Sequence, residues 1–268
     1  MYIHIVRDAS HSLISLTKPL TFRSLNVIRA ALLGLKEEAD RSSNLIVAPR
    51  NAAVLIPFCN VRGHPGILFE LRSTSLRSHS GEICFPGGRV DKRDKSFLAG
   101  ALRESHEELG IAPDRVDVLG EIGSPQLNFR GDMRVWPFVG FVHPESVVSS
   151  IQNMSQDDAL PSLDLLSLRS EVSSHEVALV FHVPLVVLAD PRRHRTSSFR
   201  GSLPYITVDV QDVVEDAGGR EVGITSLSKE GADNDVNNDL KKHTGKIEVW
   251  GLTGWYLSML MQILRIFP

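Results

Sequence analysis

One stretch constrains the fold of this chain more than any other: a glycine-rich turn at residues 85–88 that precedes an acidic helix with marked ends. Ser96 is typical of an N-cap, because its side-chain oxygen can accept a free backbone N–H of the first turn. Gly110 can adopt the left-handed conformation that ends a helix. We therefore predict a helix between these two residues. Its core-facing stripe, spaced as one helical face, is Leu98, Leu102, Ser105 and Leu109.

Three carboxylates cluster in the last turns of this predicted helix. At about 100° per residue, Glu104, Glu107 and Glu108 fall within roughly a 100° arc, away from the core stripe. A helix C-terminus disfavours negative charge. Two interpretations remain open: a solvated acidic face helped by an ion pair between Glu107 and Arg103, or a seat for a hard divalent cation such as Mg²⁺.

The helix and the preceding glycine together resemble the Nudix box of hydrolases that cleave nucleoside diphosphates linked to another group. The sequence departs from the usual box in three ways. The usual acidic position falls near Lys95, but the acid here is Asp94; one extra residue separates Gly88 from Arg103; and Ser105 stands where an aliphatic residue or alanine is common. The residues that carry the resemblance are Arg103, Glu104, Glu107, Glu108, Gly110 and Ile111, preceded by Gly88.

A second motif lies upstream and narrows the resemblance to one branch, the coenzyme A diphosphatases of peroxisomes and mitochondria. The extra residue and the shifted acid are typical of that branch. The upstream motif is also in register with the Nudix box, because the two share the turn at residues 85–88. It consists of residues 68–73, then Arg77, Gly81 and Phe85-Pro86-Gly87-Gly88.

The resemblance implies a set of site residues. Metal ligands would be Glu104, Glu108 and Glu107, with Mg²⁺ or Mn²⁺ as the cofactor and the Gly88 carbonyl as a candidate backbone ligand. Glu104, Glu107 and Arg103 would be catalytic, Arg103 by orienting the glutamates. Whether Glu104 is a ligand or the general base stays open, as does Glu176 as a further carboxylate or a surface residue. Substrate would be bound by Arg72, Arg77, Gly87 and Gly88.

The composition is compatible with an ordinary globular protein. Hydrophobic residues make up 42% and charged residues 23% of the 268 positions. A net charge of −3 gives no electrostatic support for nucleic-acid binding. No apolar run reaches the length of a membrane span. Cys59 and Cys84 lie in apolar runs, and we expect both to be buried, reduced thiols.

The order of apolar segments predicts an α+β fold, in which a mixed sheet is sandwiched between helices; the resemblance implies the Nudix fold. We predict a single domain over residues 25–268, with a disordered insertion at 212–246 and a weakly structured loop at 144–170. Helices are predicted at 25–39, from 184 and at 250–266, and a hairpin at 200–210. The other strands are predicted at 52–59, 67–72, 83–85, 116–122, 135–142 and 177–182.

Residues 1–24 form a predicted N-terminal extension or targeting segment. Asp8 is the only acid before Glu37, which is compatible with a mitochondrial transit peptide, while a frayed extension is the alternative. The last residues lack a peroxisomal Ser-Lys-Leu ending. We expect a mitochondrial or peroxisomal location, with the cytoplasm open. The oligomeric state is not indicated by the sequence.

The expected activity is metal-dependent hydrolysis of the diphosphate bond of coenzyme A, or of an acyl or oxidised derivative. The products would be 4′-phosphopantetheine and adenosine 3′,5′-bisphosphate. One alternative is a Nudix hydrolase of another nucleoside diphosphate derivative, such as NADH or ADP-ribose. A second is an inactive Nudix module that binds its ligand without turnover.

Overall fold

The computed structural model describes residues 12–39, 50–76, 79–144, 154–200, 203–219 and 246–267. The helices are α1 Phe22–Ala39, α2 Phe97–Leu109, α3 Leu165–Glu171, α4 Leu185–Leu188, α5 Gln211–Val214 and α6 Gly251–Ile263. The strands are β1 Arg50–Val61, β2 His64–Arg72, β3 Ile83–Cys84, β4 Gly87–Arg89, β5 Val116–Glu121, β6 Gln126–Leu127, β7 Met133–Val142, β8 Val177–Pro184, β9 His194–Phe199, β10 Leu203–Asp209 and β11 Glu248–Val249.

The larger sheet is mixed and has β1 near its centre. β1 pairs parallel to β7 and antiparallel to β2 and β4. The sheet continues from β2 to β3 and β8, and from β7 to β5 and β6. The strand order brings the short β4, which contains the two glycines of the turn, onto the first residues of β1. The predicted mixed sheet is confirmed.

Alternating side chains of β1 face two different layers of helices. Ile56 and Phe58 belong to a core that also contains side chains of α1 and α6. Leu55 and Cys59 face the opposite side, where α2 contributes Ala101 and Leu109. The sheet therefore lies between helices, as predicted, and α2 lies on the face opposite α1 and α6.

A second sheet, β11-β10-β9, was not predicted in full. The hairpin predicted at 200–210 actually has its turn near residue 200, because β9 runs from His194 to Phe199 and pairs with β10. The predicted start of the disordered insertion, residue 212, is also wrong. Gln211–Val214 is helical, and Val214 is fully buried. Most of the predicted insertion, residues 220–245, lies outside the described residues.

Two segments predicted to be loosely attached pack onto the domain through Asn60. The fully buried Asn60 side chain accepts the Leu20 N–H (2.8 Å) and donates to the Leu160 carbonyl (2.8 Å). Leu20 and Leu160 are themselves buried. The described part of the N-terminal extension and the second half of the predicted 144–170 loop are therefore part of the fold. A satisfied buried amide makes such a connection specific.

Residues 1–11, most of the predicted targeting segment, lie outside the described residues. Among the described residues, no helix has both the length and the apolar character needed to cross a bilayer. Cys59 is a buried free thiol, as predicted, and Cys84 is a half-buried free thiol. The side chains of Leu257, Leu260 and Met261 in α6 are fully buried, so this face of the last helix packs against the core.

Candidate active site

The capped helix α2 is held as the sequence predicted. The Ser96 hydroxyl accepts the Ala99 N–H (3.1 Å), and Gly110 has φ = 69° and donates its N–H to the His106 carbonyl (3.0 Å). Of the predicted core stripe, Ser105 and Leu109 are buried, whereas Leu98 and Leu102 are half-buried. The caps fix both ends of the helix and hence the position of its acidic residues relative to the sheet.

The two glycines of β4 allow α2 to approach the sheet closely. A Cβ on Gly88 would collide with the Glu104 carboxylate. Gly87 has φ = 149°, and a Cβ there would collide with the Ala53 carbonyl on β1. Gly87 therefore requires glycine, because the colliding atom belongs to the backbone, whereas a side chain at Gly88 would displace the Glu104 carboxylate. Glu104 thus lies directly against the turn that the resemblance associates with substrate.

Glu108 is buried, which the sequence did not predict. Its side chain is oriented towards the sheet, where Oε2 accepts the Gly87 N–H (2.7 Å) and Oε1 lies 3.3 Å from Arg72 Nη1. Burial raises the pKa of Glu108, and the nearby charge of Glu70 raises it further; the Gly87 N–H and Arg72 oppose the shift. Glu108 is consequently the point at which the helix, the glycine turn and β2 meet.

Glu70 is a second buried carboxylate that the sequence analysis missed. Its Oε1 lies 3.4 Å from Arg72 Nη1 and accepts the Cys84 thiol proton at 3.1 Å. Burial raises the pKa of Glu70, while Cys84 and Arg72 oppose the shift. The available signal was the alternation of β2: Leu68, Glu70 and Arg72 share one face, and Leu68 belongs to the same buried cluster as Leu109 of α2.

Arg103 connects the acidic residues outside the buried pair. It forms a fork with both oxygens of Asp94 (3.0 Å each) and donates to the Arg89 carbonyl (2.9 Å). Its Nη1 also lies 2.9 Å from Glu104 Oε1 and 2.9 Å from Glu107 Oε2. The pKa of Asp94 is lowered, chiefly by its hydrogen bonds from Arg103. Arg103 therefore has the contacts needed to orient both glutamates, the role that the sequence predicts.

Glu104 and Glu107 differ in their exposure. Burial raises the pKa of Glu104, and the charges of Glu107 and Glu176 add to the shift. Glu107 is 55% exposed and ion-paired with Arg103. Glu176 is exposed, just before β8, and its backbone carbonyl accepts the Ser73 N–H (2.8 Å). The contact with Ser73 places Glu176 beside the end of β2, and its charge raises the pKa of both Glu104 and Glu70.

The predicted substrate-binding residues are only partly described. Arg72 is oriented towards carboxylates, with 23% of its side chain exposed. Arg77 lies outside the described residues. Gly87 and Gly88 form β4, directly below α2. In the segment between β2 and β3, His79 pairs with Glu82 at 2.8 Å, which raises the pKa of His79.

The donor set suits a hard divalent cation, although the described residues contain no ready-made cluster of three or more His, Cys, Asp or Glu side chains that could hold one. Carboxylate oxygens are the ligands that Mg²⁺ and Mn²⁺ prefer. Glu104 lies against Gly88, Glu108 accepts the Gly87 N–H, and Glu70 is linked to Glu108 through Arg72. The buried Glu70 Oε2 has no hydrogen-bond partner in the described part of the chain. An orphaned buried carboxylate oxygen is the type of atom that a cation stabilises.

Comparison with known proteins agrees with this fold. Residues 49–179 match the NUDIX domain. The matched segment extends from just before β1 into β8, so it includes the central sheet, the glycine turn and α2. This part of the chain has the Nudix fold, as the sequence predicted.

The chain also aligns with curated relatives. The chain is 36% identical to the "Uncharacterized Nudix hydrolase NudL" of Cronobacter sakazakii over 151 residues, which is 56% of this chain and 64% of that protein. It is 42% identical to the protein of the same description from Citrobacter koseri over 118 residues, or 41% and 60% of the two chains. The alignments thus cover about three-fifths of these relatives.

Among solved structures, a MutT/nudix family protein from Enterococcus faecalis aligns with a TM-score of 0.34 and 17% identity, covering 65% of this chain and 57% of that one. A binary complex of an Ap4A hydrolase from C. elegans aligns with a TM-score of 0.34 and 16% identity, covering 51% and 81%. The fold assignment rests on the domain match and on the observed topology.

Proposed function

We propose that this protein is a Nudix hydrolase that cleaves the diphosphate bond of coenzyme A or of a coenzyme A derivative, with Mg²⁺ or Mn²⁺ as cofactor. The observation that carries the proposal is the contact between Arg72 and Glu108. Arg72 belongs to the upstream motif that resembles the coenzyme A branch, and Glu108 belongs to the Nudix box. The contact joins both motifs in one site, which supports treating them as one functional unit.

The chemistry requires charge neutralisation, because the negative oxygens of a diphosphate repel an incoming nucleophile. A bound divalent cation supplies that neutralisation and lowers the pKa of a bound water. Glu104 and Glu108 are the proposed direct ligands, and Glu107 is a further ligand or holds a coordinated water. In this proposal Arg103 is a positioning residue, since it contacts Glu104, Glu107 and Asp94.

The protein's own groups then have distinct tasks. A water oxygen attacks one phosphorus of the diphosphate, and the bond from that phosphorus to the bridging oxygen breaks. If Glu104, half-buried beside Gly88, does not itself bind the cation, it would accept the water proton, because a partly desolvated carboxylate is a stronger base than an exposed one. The leaving phosphate departs with the bridging oxygen, which gives 4′-phosphopantetheine and adenosine 3′,5′-bisphosphate.

The test is a substrate panel read by mass spectrometry. Purified protein is incubated with coenzyme A, acetyl-coenzyme A, NADH and ADP-ribose, each with Mg²⁺ or Mn²⁺, and kcat/KM is compared. We expect the two named products from coenzyme A and the highest kcat/KM for a coenzyme A substrate. Preference for NADH or ADP-ribose would contradict the substrate assignment, and binding without any product would favour an inactive ligand-binding module.

A further inference from the structure

The buried Glu70 lies outside the Nudix box, yet it belongs to the same group of side chains. It is fully buried on β2, with Cys84 opposite it on β3 and Val180 opposite it on β8. One carboxylate oxygen accepts the Cys84 thiol proton, which fixes the orientation of the group. The other oxygen, Oε2, has no hydrogen-bond partner among the described residues. A buried, ionised carboxylate with an unpaired oxygen is stabilised by a nearby cation.

Arg72 is the cation that Glu70 shares with Glu108. Its Nη1 lies 3.4 Å from Glu70 Oε1 and 3.3 Å from Glu108 Oε1. Both distances exceed the roughly 2.7–2.9 Å of a strong charge-assisted hydrogen bond. When both are ionised, the two buried carboxylates share one guanidinium through long contacts and leave one unit of negative charge uncompensated. Such loose contacts can be replaced by a cation that binds the oxygens directly.

We propose that Glu70 is an additional carboxylate of the divalent-cation site, and that Arg72 competes with the cation for Glu70 and Glu108. Carboxylate oxygens on β2 and on α2 would then enclose the cation from two elements of the fold. The Cys84 thiol orients Glu70 from the side. This inference rests on the divalent-cation requirement in the proposed function, and it is independent of which diphosphate is cleaved.

The test is Mn²⁺ binding by the full chain in the absence of any substrate, measured by titration calorimetry and by the electron paramagnetic resonance signal of free Mn²⁺. For Glu70→Gln we expect Mn²⁺ binding weaker by roughly tenfold or more, because a charged oxygen donor is lost. For Arg72→Gln we expect Mn²⁺ binding tighter by several-fold, because the competing charge is removed.

Glu248→Gln is the matched control. Glu248 is also a buried carboxylate paired with an arginine, Arg195, at 2.5 Å, but it lies in the second sheet. Its substitution should leave the Mn²⁺ affinity unchanged. Thermal unfolding of each variant shows whether the substitution has affected the fold.

The outcomes separate the alternatives. Wild-type Mn²⁺ affinity in folded Glu70→Gln would overturn the proposal, as would unchanged or weaker binding in Arg72→Gln. If Glu70→Gln does not fold, the Arg72→Gln measurement decides alone. The Mn²⁺ titration measures no turnover, so it is independent of the substrate panel. If Glu70→Gln weakens Mn²⁺ binding but the wild-type protein does not cleave coenzyme A, this inference is supported and only the proposed function is contradicted.

Discussion

Glu108 Oε1 and Arg72 Nη1 lie 3.3 Å apart, although the two residues are 36 positions apart in the sequence. The contact connects the last turn of α2 to the end of β2. The Gly87 N–H holds the other oxygen of the same carboxylate at 2.7 Å. The short Gly87 contact limits the rotation of the carboxylate, whereas the longer Arg72 contact is the one that a cation would replace. Holding one oxygen in place preorganises the group for binding a catalytic cation.

Neutralising either inner glutamate of α2 should abolish most turnover. We expect Glu104→Gln and Glu108→Gln each to lower kcat by at least about 100-fold, because each removes a charged oxygen at the reaction centre. Steady-state product formation at saturating Mg²⁺ measures the loss. Asp114→Asn, at an exposed site in the turn after α2, is the control and should keep full activity. An unchanged kcat in both glutamate variants would refute the assigned site.

A methyl group at Gly88 should separate the helix from the turn. The new Cβ would collide with the Glu104 carboxylate, so Gly88→Ala should displace that carboxylate and lower kcat, with little loss of stability because a flexible side chain can move aside. Urea unfolding and kcat are the measurements. Gly34→Ala is the matched control, because its Cβ would meet nothing within 4 Å in the middle of α1. That substitution should stabilise the protein by about 0.5–1 kcal/mol. An unchanged kcat in folded Gly88→Ala would contradict the close approach.

Much of this site could be predicted from local sequence. The caps at Ser96 and Gly110 and the pairing of Arg103 with Glu107 depend on residues close in the chain, and all three are observed. The burial of Glu70 could not be read locally. It follows from β3 and β8, which flank β2 on both sides, and strand pairing over such distances has no signature in a single strand.

The same distinction explains the errors elsewhere in the fold. Residues 155–158 are all polar and Pro161 follows them, so the segment resembles a loop, yet Leu160 is buried and Asn60 donates to its carbonyl. A polar side chain inside β1 gives no indication of its distant partner. The start of the predicted insertion was misplaced for a related reason: Gln211–Val214 is polar at its start, and it is ordered by the burial of Val214.

The buried His182 should make stability depend on pH. Burial lowers its pKa from 6.5 to about 4, the charge of the nearby His64 lowers it slightly more, and a hydrogen bond with the Cys59 backbone opposes the shift. Since the unfolded state binds the proton more tightly, this contribution is complete above pH 6.5 and is lost as the pH falls towards 4. Between pH 7.5 and pH 5 the loss is on the order of 2 kcal/mol. Urea unfolding at both pH values measures it. His182→Gln should lose less stability over that interval, and an equal loss in both proteins would assign the effect to other groups.

The fork between Arg103 and Asp94 should act on catalysis through Glu104 and Glu107. Arg103→Lys keeps the charge but cannot bind both Asp94 oxygens, so we expect kcat to fall by roughly tenfold or more with a smaller change in KM. Asp94→Asn should lower kcat through the same contact.

A double-variant cycle tests whether the two residues act together. If Arg103 positions the glutamates through its fork with Asp94, the losses in the double variant should be less than the sum, with a coupling of about 1 kcal/mol or more. The cycle is measured as kcat/KM for the single and double variants at saturating cation. Additive losses would show that each residue acts independently. A rise in KM with unchanged kcat would instead place Arg103 on the substrate, because only uniform binding would then have been lost.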